Sequence, residues 1–409
     1  MTLACSSALA LDIYTSFRCL ALFAWLWIAG TLFFDLAHYS LHSFARSRFT
    51  ILRRIGHLHQ LHHYFFNRRL IFNDRYLWHN LCVEMPLELA CQVIGSWIGW
   101  VIVLRWSSTQ QKSSSAKVLH LVVFAEVMRA LVVVATEGRD SNHISYKPTI
   151  PKDPNHFIVG PEFHALHHVD PAVSIGSFCR VFDWLFGTAL SLRSRRVTMT
   201  GASGALGQAL KKELLCQSVK CVNELKFGID WTYEDYSRVI PVLEKTDILI
   251  LAHGSKTQQA MKANCESPIA LIDLFRKHRR PNALSDKRLP EIWYVGSEIE
   301  LHPSWGVQNL QIYSRSKRAF LPYARMLQDE PSVIYRHIVP SAFQSTMGPG
   351  IIPARWVAKV AMWWIHRGAC YVPVTYTGIA YLNYFKFKYC IKKVGRTPSK
   401  IGVGMERLL

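Results

Sequence analysis

Apolar residues fill three long stretches in the first third of the chain, and short apolar runs recur through the second half. Residues 13–37 are long enough to cross a bilayer, which takes roughly 20 apolar residues. Similar stretches cover 81–105 and 118–136. Glu84 and Glu88 stand near the start of the second, and Glu126 and Arg129 lie within the third. A charge inside a span is costly, so these side chains are expected to face a helix-bundle interior and pair with one another. Alternatively the second span begins at Leu89 and leaves both glutamates at the interface.

The period changes near residue 192. After the basic join LRSRR, the runs VTMT, DILILA, IWYVG and VIYRHIV alternate with amphipathic stretches to about residue 345. This βα alternation predicts a parallel sheet covered by helices. The aromatic, lysine-rich tail at 355–390 is interrupted by Pro, Arg and His in every window. It is expected to lie against a membrane surface without crossing it.

Charge adds an orientation. The formal net charge is +20, and arginines crowd the segment after the first span (Arg46, Arg48, Arg53, Arg54, Arg68, Arg69, Arg75). The loop at 105–117 is short and modestly charged. By the positive-inside rule, 43–80 and 137–196 are cytoplasmic and the N-terminus is outside. The excess positive charge suits an anionic membrane surface. No nucleic-acid-binding module stands out, so no nucleic-acid partner is expected. Ten cysteines without a CxxC pair fit reduced thiols better than secreted disulfides. The N-terminus lacks the basic region of a cleavable signal.

Histidine changes the picture most. Thirteen of the 18 histidines precede residue 196, and eight fall into three motifs: His38-x3-His42, His59-x2-His62-His63 and His164-x2-His167-His168. Residues three or four apart share a helix face, so each motif sends its imidazoles to one side. The proposed topology puts all three motifs on one membrane face. Eight converging imidazoles can hold two transition-metal ions and leave positions open for a small ligand. Imidazole suits iron, zinc and copper; iron is the choice if the task is to activate O2.

These motifs resemble those of the fatty acid hydroxylase/sterol desaturase superfamily, integral-membrane di-iron enzymes with HxxxH, HxxHH and HxxHH boxes. The resemblance covers about 30–190, and PEFHALHH (161–168) and FDWLFGT (182–188) look like the third box and the segment after it. It implies two Fe ions, a lipid substrate and an external electron donor. The family often adds a ligand between the second and third boxes, for which His143 is the best candidate. His57, His79 and His156 are left as supporting or merely polar residues. Two departures concern the lipid site. Ser174, Ile175 and Gly176 replace the usual Asn-Tyr-Gly, and the common hairpin before the first box is lacking.

In the second half, Thr200-Gly201-Ala202-Ser203-Gly204-Ala205-Leu206-Gly207 follows a strand and opens a helix, the context of a dinucleotide-binding turn. Ser297 closes the strand WYVGS, and Tyr313-x3-Lys317 sets a phenol one helical turn from an ammonium. The ammonium is expected to lower the phenol's pKa, making a workable acid/base pair. Ser297 can then bond a substrate oxygen. Together these residues resemble a short-chain dehydrogenase/reductase over about 197–350. The resemblance implies NAD(P), tetrad roles for Asn264, Ser297, Tyr313 and Lys317, and cofactor contacts at Gly201, Ser203, Gly204 and Gly207. It departs from that pattern at Ala252-His253-Gly254, where an Asn is usual, and at Pro340-Ser341, where Pro-Gly is common. Only 39 residues separate Gly207 from Thr246, so about one βα unit is shortened or missing.

The expected fold is a membrane all-α histidine-box domain over 1–192, followed by an α/β Rossmann-like domain over 193–409. The joint order resembles the bifunctional sterol desaturase/short-chain dehydrogenase proteins. The expected function is O2-dependent hydroxylation or desaturation of a fatty acyl, sterol or carotenoid lipid. The second domain reduces or oxidises the first one's product, or no longer turns over. NAD against NADP stays open. The histidine boxes and the Rossmann domain are both expected on the cytoplasmic face of an integral membrane protein. The alternatives are an aldehyde-processing wax/alkane-type enzyme and a non-catalytic metal-binding membrane scaffold.

Overall fold

The computed structural model describes residues 2–105, 109–280, 287–302 and 308–394. The chain divides into two compact units. One comprises 1–146 with 155–188, the other 147–154 with 189–409.

The first unit is helical among its described residues. Its helices are α1 (Thr2–Ala45), α2 (Thr50–Phe65), the single turn α3 (Leu77–His79), α4 (Met85–Leu104), α5 (Thr109–Ala135), α6 (Pro161–Val169) and α7 (Val181–Phe186). Three segments are long and apolar enough to cross a membrane: Tyr14–Ala45, Asp74–Leu104 and Lys112–Ala135. The helical path thus continues through Glu84, where the sequence left open a start at Leu89. Part of the loop expected at 105–117 lies outside the described residues, and α5 already begins at Thr109.

Small residues bring α1 and α4 together, as is usual where apolar helices pack without a hydrophobic drive. A Cβ at Gly95 would lie 2.5 Å from Cβ of Phe33 and 2.7 Å from the carbonyl of Ala29. The charges inside these helices are partnered as expected in part. Arg129 bonds Glu88 at 2.7 Å, whereas Glu126 takes its hydrogen bond from Ser96 at 2.9 Å.

The second unit holds a six-stranded, all-parallel sheet in the order β2-β1-β3-β4-β5-β8. Its elements are β1 (Arg196–Thr200), α8 (Ala205–Leu215), β2 (Cys221–Leu225), the turn α9 (Ile240–Leu243), β3 (Ile248–Leu251), α10 (Ser267–His278), β4 (Glu291–Val295), α11 (Gln308–Asp329) and β5 (Ile334–Pro340). A two-residue parallel pair, β6 (Phe343–Gln344) and β7 (Ile352–Pro353), precedes α12 (Ala354–His366), β8 (Tyr371–Val374) and α13 (Ile379–Phe385). Strand residues alternate between two apolar layers. Leu249, Leu251, Ile292, Tyr294 and Tyr335 face α10 and α11, and Val197, Met199, Ile250, Trp293 and Ile338 face α8 and α12. This is a Rossmann-type doubly wound sheet.

The shortening inferred from the sequence sits between β2 and β3, which are joined by turns and α9 with no intervening strand. Part of the tail belongs to the sheet unit itself: residues 354–374 supply α12 and the last strand. Val357, Ala358, Ala361, Met362 and Ile365 recur at core-helix spacing and are buried against the sheet, while Trp356, Trp363, Tyr381, Phe385 and Tyr389 stay exposed.

Candidate metal and dinucleotide sites

The histidines of the helical unit form two buried clusters. His38, His42, His59, His63 and His167 make one, and His62, His143, His164 and His168 the other. Within each, the candidate ligand nitrogens lie within 4.8 Å of one another. All nine histidines singled out from the sequence are in these clusters. The helical spacing explains the split, because adjacent His62 and His63 on α2 must diverge. The same divergence separates His167 from His168 on α6. His57, His79 and His156 are exposed and belong to neither cluster.

Hydrogen bonds fix which nitrogen is free in six of the nine rings. Nδ1 of His38, His167 and His168 faces the backbone carbonyls of Ile175 (2.8 Å), Val173 (2.9 Å) and Phe66 (2.7 Å). A carbonyl only accepts, so each Nδ1 donates and carries the ring's proton. Nδ1 of His59 donates to Glu84 (2.8 Å), that of His62 to Asn80 Oδ1 (2.9 Å) and that of His143 to Asp140 (2.7 Å). Burial keeps the rings neutral: it pushes His59, His62 and His167 down to about 3, and His63, His164 and His168 well below their ordinary value.

Bare Nε2 lone pairs therefore face each other between His38 and His59 and between His62 and His143. Nε2 of His38 lies 2.8 Å from that of His59, and Nε2 of His42 lies 3.1 Å from those of His38 and His167. In the second cluster His143 stands 3.1 Å from both His62 and His164, and His164 stands 3.2 Å from His168. Lone pairs at this separation repel unless a cation lies among them. Imidazole–metal bonds of about 2.1 Å put neighbouring nitrogens about 2.9–3.4 Å apart, depending on the bond angle. The donor set and its spacing fit two transition-metal ions.

Several supporting residues escaped the sequence reading. Asp183, within FDWLFGT, accepts from the backbone N–H groups of Ile175 and Gly176 at 2.9 and 2.8 Å. Asp35 accepts from the N–H of Ser177 at 2.8 Å. The Ser174-Ile175-Gly176 departure is thus the segment whose carbonyl holds His38. Asp140, three residues before His143, was the one visible signal, since Asp-x-x-His forms a local turn. Asn80 and Glu84 are four apart on one helical face, but nothing local ties them to α2.

In the sheet unit, Gly201 and Ala252-His253 meet where β1 and β3 end, at the point where the strand order reverses. Gly201 has φ +68°, a conformation that side chains disfavour. A Cβ at Gly207 would stand 2.0 Å from the Gly201 carbonyl oxygen. The start of α8, with Gly204 as N-cap, carries no side-chain cap. Its backbone N–H groups and the side-chain-free turn fit a pyrophosphate, and Ser203 lies within that turn. His253, where an Asn is usual, clamps the strand end. Its ring bonds Thr200 Oγ1 at 2.6 Å and Ser267 Oγ at 3.0 Å. Burial, reinforced by Lys317, pushes it down to about 3.

Asn264, Ser297, Tyr313 and Lys317 gather beyond β3 and β4. Tyr313 is hydrogen-bonded to Ser297, and the Lys317 ammonium stands 5.9 Å from the Tyr313 ring centre. Ser297 also caps the turn after β4, in a reciprocal arrangement with Glu300. Lys317 donates to the carbonyl of Val295 at 2.7 Å. Asn264 is buried and donates to Ser316 and to the carbonyl of Ser255. The expected lowering of the phenol's pKa is not found. Burial pushes Tyr313 up to about 12 against the opposing bond to Ser297, and it pushes Lys317 down to about 8. Desolvation, with the Glu300 carboxylate adding to it, outweighs the bond to Ser297.

The chain matches no protein-family profile. A monoglucosyldiacylglycerol epimerase of Synechocystis sp. is 25% identical over 398 residues, 87% of this chain and 93% of that protein. Among solved structures, a short-chain dehydrogenase of Burkholderia cenocepacia in complex with NADP is 16% identical, with a TM-score of 0.40. It covers 49% of this chain and 95% of its own. A short-chain dehydrogenase of Sphingobium yanoikuyae in complex with NADPH is 15% identical over 47% of this chain and 92% of its own, with a TM-score of 0.37.

Proposed function

We propose that this chain is a membrane-bound lipid oxidoreductase with two centres, a histidine-held iron pair in the helical unit and an NAD(P) site in the sheet unit. The observation that carries the reading is the convergence of nine imidazoles into two clusters, with fixed Nε2 lone pairs face to face at His38–His59 and His62–His143. His38, His42, His59, His63 and His167 would hold one ion, and His62, His143, His164 and His168 the other. Iron bound there supplies O2 activation and removal of hydrogen from an unactivated C–H bond. The protein's share is to fix six of the rings through the carbonyls, carboxylates and amide behind them and to keep the site buried. An external electron donor belongs to this reading, as does a cytoplasmic placement of both centres.

In the sheet unit, Gly201, Ser203, Gly204 and Gly207 would receive the pyrophosphate of NAD(P), which supplies or takes up a hydride at a carbonyl or carbinol carbon. Ser297 would orient the substrate oxygen and Tyr313 would give it a proton. Lys317 and Asn264 would brace the phenol's surroundings.

The Synechocystis relative favours a second reading, because its likeness runs through both units. By that reading this chain inverts a carbinol centre in a glycolipid headgroup. The carbinol carbon gives a hydride to NAD(P)+ and its hydroxyl gives a proton to Tyr313, leaving a ketone; the hydride returns to the other face and the proton to the oxygen, with no net oxidation. The test uses the full-length protein in detergent, made under iron-replete, anaerobic conditions. Wild type should hold about two irons per chain, and His62→Ala and His167→Ala should each reduce that, since each removes a donor from a different cluster. Little or no iron in the wild type defeats the two-iron reading. Lipid products made with and without O2 separate the readings: hydroxylation or desaturation needs O2, whereas an epimer keeps the substrate's mass.

A further inference from the structure

The helical unit encloses a cavity of 180 Å³ lined by His38, His59, His62, His143 and His164, drawn from both clusters. Pockets that bury a whole drug-sized ligand run to about 300–1,000 Å³. This one therefore takes one end of a lipid. Its remaining wall includes Glu84, Glu88, Gln92 and Arg129 as well as apolar residues.

These four polar residues lie on segments long and apolar enough to cross a membrane. From Glu84 to Gln92 is two helical turns, about 12 Å. Arg129 Nη2 bonds Glu88 Oε1 at 2.7 Å and Gln92 Oε1 at 2.8 Å, and Gln92 Nε2 bonds the same Glu88 oxygen at 3.2 Å. Glu84 is 3% exposed, and its Oε2 has no hydrogen-bond partner among the described residues. Charged groups in apolar spans are costly and are retained where they line a substrate path. A hydrocarbon chain would gain nothing from such a wall and would leave Glu84 Oε2 and Arg129 Nε without a partner. A hydroxyl both donates and accepts, which matches carboxylates that accept, a guanidinium that donates and an amide that does both.

We infer that this cavity seats a hydroxyl-rich headgroup of the sugar class against the histidine clusters, with Glu88, Gln92 and Arg129 bonding its hydroxyls. The inference deepens the lipid-oxidoreductase reading and rests on it for the reaction, but the binding it describes needs no metal. Acyl chains then stay outside the cavity.

The test is lipid binding to the full-length protein in nanodiscs, read by native mass spectrometry. The probes are monoglucosyldiacylglycerol, diacylglycerol and oleic acid, and iron is assayed on the same samples. Monoglucosyldiacylglycerol should bind wild type at least about tenfold tighter than diacylglycerol, because a site built for several hydroxyls rejects a ligand that offers only one. Glu88→Gln and Gln92→Leu should each erase most of that preference. Glu126→Gln, a buried carboxylate that does not line the cavity, should keep it. Diacylglycerol or oleic acid bound as tightly by wild type overturns the inference whether or not the variants fold. An undiminished preference in both folded cavity variants also overturns it. Sugar preference without iron supports the cavity and defeats the two-iron reading; iron without sugar preference does the reverse.

Discussion

Asp140 offers a direct test of how the second histidine cluster is held. Its carboxylate accepts from Nδ1 of His143 at 2.7 Å and from the backbone N–H of Asn142 and His143 at 2.8 and 3.2 Å. Asp140→Ala removes all three bonds. The His143 ring then loses the acceptor that sets its tautomer and aims Nε2 at the cluster. Loss of such a partner lowers metal affinity by about 10–100-fold, or about 1.4–2.7 kcal/mol. The effect should be confined to one cluster, because His59 in the other is held by Glu84. Under anaerobic competition with a graded Fe(II) chelator, wild type should release two irons over a common range. Asp140→Ala should release one of them at about 10–100-fold lower chelator strength and keep the other. Equal weakening of both irons, or of neither, would refute the assignment of His143 to a separate four-histidine site.

Three further outcomes are expected in the sheet unit. Gly207→Ala forces a Cβ to 2.0 Å from the Gly201 carbonyl oxygen. It should cost about 1–3 kcal/mol of stability and at least about tenfold in NADPH affinity by fluorescence titration; unchanged affinity would remove the turn from the cofactor site. His253 sits near 3 when folded against an ordinary 6.5, so below about pH 6.5 the unfolded chain takes up the proton and stability falls with pH. At pH 5 the loss from this group is roughly 2 kcal/mol. His253→Asn should narrow the gap between full-length melting temperatures at pH 7 and pH 5, and an unaltered gap counts against the clamp. With Tyr313 near 12, only about one phenol in 10⁵ is ionised at pH 7. NAD(P)H-dependent carbonyl reduction should then be favoured at pH 7, and carbinol oxidation should climb from pH 7 to 10. A flat oxidation profile, or full activity in Tyr313→Phe, would exclude the phenol as the proton-carrying group.

Much of the architecture was legible because its signals are local. Hydrophobic length marked the three long helices, and the change to short β-branched runs marked the sheet. Spacing of three or four grouped the histidines on their helices, and the glycine pattern located the turn after β1. Within the tail, the i, i+3, i+4 spacing of Val357, Ala358, Ala361, Met362 and Ile365 already spelled a core-facing helix, which its aromatic content masked.

What the sequence determined by itself is which residue types stand at which periodic spacing: the apolar spans, the three histidine motifs, the parallel βα alternation and the glycine turn. Only tertiary structure decided how nine histidines divide between two clusters, because His62 and His63 are neighbours in the chain but point to different centres. It alone joined Glu84 to His59 and Asp183 to the loop that holds His38. It also set the phenol of Tyr313 high, because burial depends on everything packed around a group and not on the lysine four residues on. Periodicity acts over a few residues through backbone geometry, whereas desolvation and cross-helix hydrogen bonds arise only once distant segments meet.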